Sequence, residues 1–262
     1  MGPLMSVKAY MVKIFGKEHP HQKVVKVFKQ YCPRGSILDA GAGAGYIAQR
    51  LKEAGYDVTA ADIRPDLFRA EGIPCRAADL NTNLPFPDQM FEGVLCANAI
   101  EHLENPSFFV RESYRILKER GKLLITTPNV LNLKSRLANL FLGLNQFYAV
   151  PNNEVGDYPG GQHIHLASYY ELRTLLHRNG FRIIAATTHA FSSTAMSLAP
   201  LYPAVRFFTC RALRRERNPA QRQRNREIQK HVLSADLLFG KKLFLLAEKD
   251  PRYLKPSPEK AG

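Results

Sequence analysis

Short apolar runs alternate with amphipathic segments along most of the chain. The apolar runs predict strands at residues 37–41, 57–62, 75–79, 91–99, 121–129, 181–189 and 241–249. Helical periodicity predicts helices at residues 46–55, 65–71, 106–119 and 168–180. The fourth strand, FEGVLCANA, is apolar almost throughout, which is typical of a strand buried on both faces. This order predicts an α/β fold with a doubly wound, seven-stranded, mainly parallel sheet.

Local signals mark several element boundaries. Ser168 and Glu171 form the pattern of a capping box, and Gly180 is the predicted stop of that helix. Asn105 is the predicted N-cap of the helix that begins at residue 106. Residues 130–166 show no regular pattern and are predicted to form a long irregular connection, which in a compact domain is often functional.

The pattern divides the chain into four segments. Residues 1–34 are predicted to be an N-terminal helical segment, and residues 35–190 with 240–250 the α/β domain. Residues 191–239 are a predicted helical insertion between the sixth and seventh strands. Residues 251–262, rich in Pro and Lys, are a predicted disordered tail.

Positive charge is concentrated near the end of the chain. The 262 residues contain 37 Lys and Arg against 23 Asp and Glu, a net charge of +14. Residues 192–262 alone hold 15 basic and 6 acidic residues. An anionic partner such as nucleic acid, a membrane surface or an acidic substrate is therefore expected, although a basic and inert surface is the alternative.

Within the insertion, residues 202–217 read as a basic amphipathic helix. One predicted face holds Val205, Phe208, Ala212 and Leu213. The other holds Arg206, Arg211, Arg214, Arg215 and Arg217. Such a helix suits a lid packed on the domain or contact with a membrane surface. Nucleic acid is less favoured, because the following stretch RNPAQRQRNREIQK has no aromatic side chain for bases to stack on.

Cysteine usage and hydropathy indicate the compartment. Cys32, Cys75, Cys96 and Cys210 show no CxxC spacing, which predicts reduced thiols and no zinc site. The first residues lack the apolar core of a secretory signal, and no uncharged apolar run reaches the ~18 residues of a membrane span. We therefore expect a cytoplasmic protein that can also contact a membrane peripherally.

The stretch LDAGAGAG follows the first strand and carries the strongest chemical signal. Gly41, Gly43 and Gly45 differ in spacing from the GxGxxG of dinucleotide sites, and a GxxxxGK phosphate loop is absent. Asp39 precedes the glycines and would repel a pyrophosphate but attract a positive amino group. These features favour S-adenosylmethionine, which has an amino group, a sulfonium, a ribose and an adenine but no phosphate.

Polar side chains follow the next three strands. Asp62 ends the second strand, where a carboxylate can accept from ribose hydroxyls. Asp79 ends the third strand and could accept from the adenine amino group, and Asn98 ends the fourth. Because the carboxyl ends of parallel strands share one edge of the sheet, these side chains are expected to line one ligand site.

At this point the chain resembles the class I S-adenosylmethionine-dependent methyltransferases, in the branch of ubiquinone-type and small-molecule enzymes. The similar stretches are LDAGAGAGYIAQRL, VTAADI, AADLNTNLPFPDQMFEGVLCANAIEHLENP and GKLLITTPN. The resemblance implies that Asp39 and the glycine loop hold the methionine part, Asp62 the ribose, and Asp79 the adenine. The implied cofactor-binding residues are Asp39, Ala40, Gly41, Gly43, Gly45, Asp62, Ile63, Asp79, Leu80 and Asn98.

Three histidines are candidate bases for removing a proton from an acceptor. His102 follows the fourth strand, and His163 and His165 alternate in GGQHIHLASYYEL, which predicts that both face one side. Local bracing is the alternative role for each histidine. Glu101 and Asp157 are weaker candidates, and without an evident third ligand no metal site is predicted.

The absence of two motifs typical of nucleic-acid methylation limits the kinds of acceptor that we expect. No NPPY-like motif follows the fourth strand, and Cys96 lies inside that strand, so neither adenine nor cytosine methylation is indicated. We expect O-methylation of a small-molecule, glycan or lipid-linked acceptor. The alternatives are a structured RNA acceptor held by the insertion, or a membrane-associated protein that binds the cofactor without catalysis.

Overall fold

The computed structural model describes residues 19–143 and 163–254, and the following statements concern this part of the chain. The strands are β1 (Ser36–Ala40), β2 (Asp57–Asp62), β3 (Cys75–Ala77), β4 (Phe91–Ala97), β5 (Leu117–Pro128), β6 (Asn179–Thr187) and β7 (Lys242–Leu254). The α-helices are α1 (Pro20–Tyr31), α2 (Tyr46–Glu53), α3 (Pro106–Ile116), α4 (Leu133–Leu142), α5 (Tyr169–Arg178), α6 (Ser193–Ser197), α7 (Tyr202–Arg214), α8 (Pro219–Val232) and α9 (Ala235–Phe239).

The seven strands form one sheet in the order β3-β2-β1-β4-β5-β7-β6. Neighbouring strands run parallel from β3 through β2, β1 and β4 to β5. The predicted doubly wound, seven-stranded α/β fold is thereby confirmed. The strand order reverses beside β1, with β2 on one side and β4 on the other, and ligands bind at such a switch point at the carboxyl ends of the strands.

The chain forms two compact units, each described here by itself. In the described residues, the sheet unit comprises 19–127, 163–185 and 244–254, and the helical unit comprises 128–143 and 186–243. Helix α1 belongs to the sheet unit, because Val24, Val27 and Phe28 lie on one stripe and are buried in its core. The boundary predicted at residue 34 therefore does not separate this helix from the domain.

The helical unit is larger than the predicted insertion 191–239, because it also contains α4. This helix lies inside the segment predicted to be irregular. Its N-cap, Asn132, accepts from the backbone N–H of Ser135 at 2.9 Å, and Gly143 ends it with φ of 65°. The prediction of an irregular connection is wrong for residues 133–142, while residues 144–162 lie outside the described part of the chain.

Strand β7 is longer than predicted, and the tail predicted from residue 251 begins inside it. Three consecutive charged residues, Glu248, Lys249 and Asp250, are buried there. Lys122 Nζ lies 2.6 Å from Glu248, and Lys249 Nζ donates to the carbonyl oxygen of Leu117 at 2.8 Å. Buried charges are tolerated when they are paired, so the strand continues through this polar stretch, where the sequence predicted it to end.

Two predicted helices end early. Residues 65–71 form only a 3-10 turn, Pro65–Leu67, after which Phe68 is extended. The Phe68 ring packs closely against Gly45, since a Cβ on Gly45 would lie 2.6 Å from that ring. This packing overrides the local propensity of residues 68–71 for a helix. Helix α3 ends at Ile116 rather than at residue 119, because Leu117 already pairs with Phe91 in the sheet.

Other boundaries agree with the sequence. The capping box of α5 is present, with Ser168 and Glu171 bonding each other's backbone, and Asn105 caps α3. Both predictions are confirmed. Within residues 19–143 and 163–254, no helix is long and apolar enough to cross a membrane.

Helix α7 lies in the helical unit and contains no buried residue. Of its predicted apolar face, Val205 and Leu213 are half-buried, whereas Phe208 and Ala212 are exposed. The face predicted to pack is therefore only partly covered by the described residues.

Candidate functional site

The loop between β1 and α2 is built from glycines in the left-handed region of backbone space. Gly41, Gly43 and Gly45 have φ of 75°, 53° and 85°. A Cβ at Gly41 would lie 2.6 Å from the Cβ of Ala99, so the loop also approaches the turn after β4 closely. Both features exclude most other residues here, because a side chain would strain the backbone or clash.

Asp39 is the buried charge of this site. It is only 1% exposed, and neither carboxylate oxygen has a hydrogen-bond partner in the described part of the chain. Burial raises the pKa of Asp39 to about 7; the backbone N–H of Ala48 opposes the rise and the nearby Asp62 carboxylate adds to it. A buried carboxylate that forms no regular hydrogen bond within the described residues fits the positively charged amino group of the predicted cofactor, since an opposite charge would compensate its burial.

Asp62 ties the end of β2 to the glycine loop. Its Oδ2 accepts from the backbone N–H of Gly43 at 2.7 Å, and its Oδ1 accepts from the N–H of Arg64 at 2.8 Å. The side chain is half-buried, and each oxygen keeps capacity for a further donor such as a ribose hydroxyl. The next residue, Ile63, is 68% exposed and offers an apolar surface beside that carboxylate.

The end of β3 is joined to the end of β2. The backbone N–H of Ala78 donates to the carbonyl oxygen of Asp62 at 2.9 Å. Asp79 Oδ1 accepts from the backbone and side-chain amides of Asn81 at 2.9 and 3.0 Å, while Leu80 is buried. The predicted adenine-binding residues thus lie in an ordered turn that follows directly on Asp62.

Ala40 and Asn98 mark the neighbouring strand ends. Ala40 is buried in β1 and pairs with Ala61 and Cys96, so β2 and β4 end level with the glycine loop. Asn98 follows β4 with φ of 52°, and its N–H donates to the carbonyl oxygen of Thr126 at 2.8 Å. Asn is one of the few residues that adopt this conformation readily, and such local strain often accompanies a functional site.

The structure brings Glu101, His102 and His163 together. Each residue has one potential metal-ligand atom, a ring nitrogen or a carboxylate oxygen, and these three atoms lie within 4.8 Å of one another. The centroids of the two imidazole rings are 4.7 Å apart. Glu101 is buried and the histidines are half-buried. The sequence offered no third ligand for a metal ion, whereas the structure groups three candidate ligands. The group was not evident in the sequence because His163 is distant from Glu101 and His102 along the chain. A carboxylate with two imidazoles could hold a divalent metal ion, or could work as a proton-accepting group.

His165 is placed differently from the other two histidines. Its Nδ1 lies 2.7 Å from the carbonyl oxygen of Leu103, and its backbone N–H donates to the carbonyl oxygen of Glu101 at 3.0 Å. A carbonyl oxygen only accepts, so Nδ1 carries the proton and the ring fastens residue 165 to the turn after β4. This contact favours the bracing alternative for His165, and its predicted catalytic role stays a prediction.

Cys96 lies next to the site but is chemically unsuited to attack a substrate. It is fully buried in β4, and burial raises the pKa of its thiol, with Glu101 contributing. A thiol that stays protonated is a poor nucleophile. This supports the sequence argument against a cysteine-dependent route.

A matched pair of glycine substitutions tests the role of the loop. Gly43 and Gly55 both have positive φ and open space around a Cβ, but only Gly43 lies in the loop. We expect Gly43→Ala and Gly55→Ala to lower stability by a similar ~1 kcal/mol of backbone strain. Only Gly43→Ala should weaken S-adenosylmethionine binding, because only this substitution adds a methyl group to the glycine loop.

Melting temperatures and calorimetric titrations measure the two effects separately. Equal loss of affinity in both variants would show that backbone strain, and not the position of Gly43, is responsible.

Sequence comparisons agree with this geometry. Residues 38–125 match the family described as a methyltransferase domain. A probable S-adenosylmethionine-dependent methyltransferase of Mycobacterium tuberculosis is 34% identical over 117 residues, covering 42% of this chain and 41% of that protein. A ubiquinone biosynthesis O-methyltransferase of Xanthomonas oryzae is 28% identical over 109 residues, covering 36% and 43%. The matched part thus represents about two fifths of the length of these relatives.

The fold also resembles solved structures over most of the chain. The crystal structure of an S-adenosylmethionine-dependent methyltransferase from Archaeoglobus fulgidus matches with a TM-score of 0.55 and 19% identity. That match covers 94% of this chain and 100% of the other. At this identity the likeness concerns the architecture of the sheet and its helices.

Proposed function

We propose that this chain, which contains a class I S-adenosylmethionine-dependent methyltransferase domain, transfers a methyl group to a hydroxyl oxygen of a small or lipid-linked acceptor. The observation that carries the proposal is Asp39, a buried carboxylate that forms no regular hydrogen bond in the described residues, beside a glycine loop tied to Asp62. The chain keeps this unfavourable charge where a cationic amino group would neutralise it.

The described residues fit each part of the cofactor. In our proposal Asp39, Ala40 and the glycine loop hold the methionine part, and Asp62 accepts from the ribose hydroxyls. Ile63, Asp79 and Leu80 surround the adenine, and Asn98 lies beside the sulfonium. When bound, the cofactor supplies an electrophilic methyl group, and the chain contributes alignment of the acceptor and removal of its proton.

The histidines after β4 are the proposed proton acceptors. His102 and His163 lie against each other next to the buried carboxylate of Glu101, and imidazole is the side chain that most often acts as a general base. An oxygen acceptor needs such a group more than a free amine does, because a hydroxyl must lose its proton to become a good nucleophile. The likeness to a ubiquinone biosynthesis O-methyltransferase also supports an oxygen acceptor.

We expect His102→Ala and His163→Ala to lower kcat by about 100-fold, the usual contribution of a positioned base. Cofactor affinity should remain unchanged in both. The matched control is His165→Asn, because the asparagine amide can donate to the carbonyl oxygen of Leu103 as Nδ1 does. That variant should retain near-native activity. Measuring kcat requires an acceptor, and we would use the first one found in a screen of phenols, hydroxylated isoprenoid precursors and glycolipids.

Two outcomes would contradict the role given to the histidines. Full activity in both alanine variants would show that no proton acceptor is needed from this cluster. Activity that a chelator abolishes and a divalent cation restores would assign Glu101, His102 and His163 to a metal ion instead.

A further inference from the structure

We propose that the outward face of α7 docks on the surface of a bilayer that contains anionic phospholipids. The face combines Phe207 and Phe208 with Arg211, Arg214 and Arg215. The inference rests on side chains of the helical unit and does not depend on the proposed activity.

One side of α7 is held by the neighbouring helix α8. Asn225 Nδ2 donates to the carbonyl oxygen of Leu213 at 3.0 Å, and Gln229 Nε2 lies 3.2 Å from the Sγ of Cys210. Val205 and Leu213, the half-buried apolar residues, lie about two turns apart on that side. The helix is therefore fixed in orientation, and its remaining surface is presented outward.

The outward surface contains two large aromatic rings. Phe207 is 61% and Phe208 67% exposed, and their rings meet edge to face with centroids 5.3 Å apart. A groove of about 610 Å³ runs along this surface and is lined by Pro203, Arg206, Phe207, Cys210, Arg211, Arg214 and Arg215. Exposed aromatic pairs of this kind mark sites where apolar surface is buried by a partner.

The arginines supply charge complementarity to lipid phosphates. Arg211, Arg214 and Arg215 are all exposed, and residues 202–232 hold nine basic against two acidic residues. On a helix, residues 207, 208, 211 and 215 share one side, so the rings face the same way as the guanidinium groups of Arg211 and Arg215. The predicted division of α7, which set Phe208 opposite these arginines, is wrong in this respect. Phenylalanines can then enter the boundary of the acyl chains while arginines reach the phosphates, as in interfacial amphipathic helices.

A second exposed surface in the same unit favours lipid over nucleic acid. Leu140, Phe141 and Leu142, at the end of α4, are 74%, 75% and 62% exposed. Leu140 and Leu142 are aliphatic and offer nothing to a phosphate backbone, to base edges or to stacked bases. Apolar side chains of this kind can insert into a bilayer boundary, as those of α7 can.

The test is co-sedimentation of the full chain with vesicles. One set contains one part phosphatidylglycerol to three parts phosphatidylcholine, and the other contains phosphatidylcholine alone. We expect binding to the anionic set, weakened by added salt. The double variant Phe207→Ser/Phe208→Ser should weaken it by about tenfold or more, and Arg211→Gln/Arg215→Gln by a similar amount.

The matched control removes two positive charges from α8, as Arg226→Gln/Lys230→Gln, both exposed positions. It should bind vesicles within about twofold of the native chain, because these charges lie outside the docking face. All substitutions are at exposed positions, and unchanged melting temperatures verify the fold. Calorimetric titration with S-adenosylmethionine should give the same affinity for every variant, which separates this inference from the proposed activity.

Three results would overturn the docking face. The phenylalanine variant could bind vesicles as well as the native chain, or the control could lose as much binding as the arginine variant. Alternatively, the chain could fail to bind vesicles and instead bind a structured RNA through the same arginines, with an affinity that falls steeply as salt is added.

Discussion

Asp39→Asn is expected to abolish detectable S-adenosylmethionine binding and, at the same time, to stabilise the unliganded protein above pH 7. The carboxylate is buried and forms no regular hydrogen bond in the described residues, and burial outweighs the opposing effect of the Ala48 backbone N–H, so its charge destabilises the empty site. The same charge is what the amino group of the ligand requires. Removing one partner of a buried ion pair costs about 3–5 kcal/mol, which would raise the dissociation constant beyond an ordinary titration.

The pH dependence of this stabilisation has a definite sign. Burial raises the pKa of Asp39 from 3.8 to about 7 in the folded protein. Between these two values the folded state holds a proton that the unfolded chain has released, so stability contributed by this group falls as pH rises through that window. The asparagine variant lacks this fall. Its advantage over the native chain should therefore grow from about pH 4 to pH 7 and then level off, on the order of 4 kcal/mol.

Melting curves and calorimetric titrations at pH 5 and pH 8 measure both effects. Asp57→Asn is the matched control, because Asp57 is exposed at the opposite end of β2 and should change neither quantity. An Asp39→Asn protein that is less stable at pH 8 but binds the cofactor normally would identify Asp39 as a structural residue.

Asp62→Ala is expected to weaken S-adenosylmethionine binding by about 1–3 kcal/mol, roughly tenfold to a hundredfold. The variant loses the acceptor for ribose hydroxyls and also the 2.7 Å hydrogen bond that fixes Gly43. Asp62→Asn separates these contributions, because its amide oxygen can still accept from Gly43 while the charge is gone. We expect an intermediate affinity for that variant.

The assignment of Asp62 to the ribose also predicts how adenosine, which carries that ribose, should bind. Titration with adenosine should be weakened by Asp62→Ala, while Asp57→Ala should bind like the native chain. Unchanged affinity in Asp62→Ala, in a protein that melts normally, would contradict the assignment of the end of β2 to the ribose.

The parts of the site that sequence could predict are those with local signals. Asp39, the three glycines and Asp62 follow directly from short apolar strands, and parallel pairing places strand ends at one edge of the sheet. The fold was predictable for the same reason, because alternating strands and helices leave few arrangements. Helix α4 also had its signals, the cap Asn132 and the stop Gly143, but these were obscured by the irregular segment around it.

Other features depend on contacts between residues distant in sequence. Glu101 and His102 meet His163 only because the segment before α5 returns to the turn after β4. The extension of β7 through Glu248 and Lys249 needs ion pairs with Lys122 and Arg182, which no local pattern reveals. On α7, charge and periodicity predicted a helix with two faces but not that Phe207 and Phe208 would both be exposed.

The most direct test of the account is calorimetric titration of the native chain with S-adenosylmethionine at pH 8, where Asp39 carries its charge. We predict one site per chain with a dissociation constant in the low micromolar range, about −8 kcal/mol of binding free energy. The demethylated product S-adenosylhomocysteine should compete for the same site. A folded native chain that gives no binding heat and no shift in melting temperature with either compound would contradict the account, and the glycine loop would then be only a turn between β1 and α2.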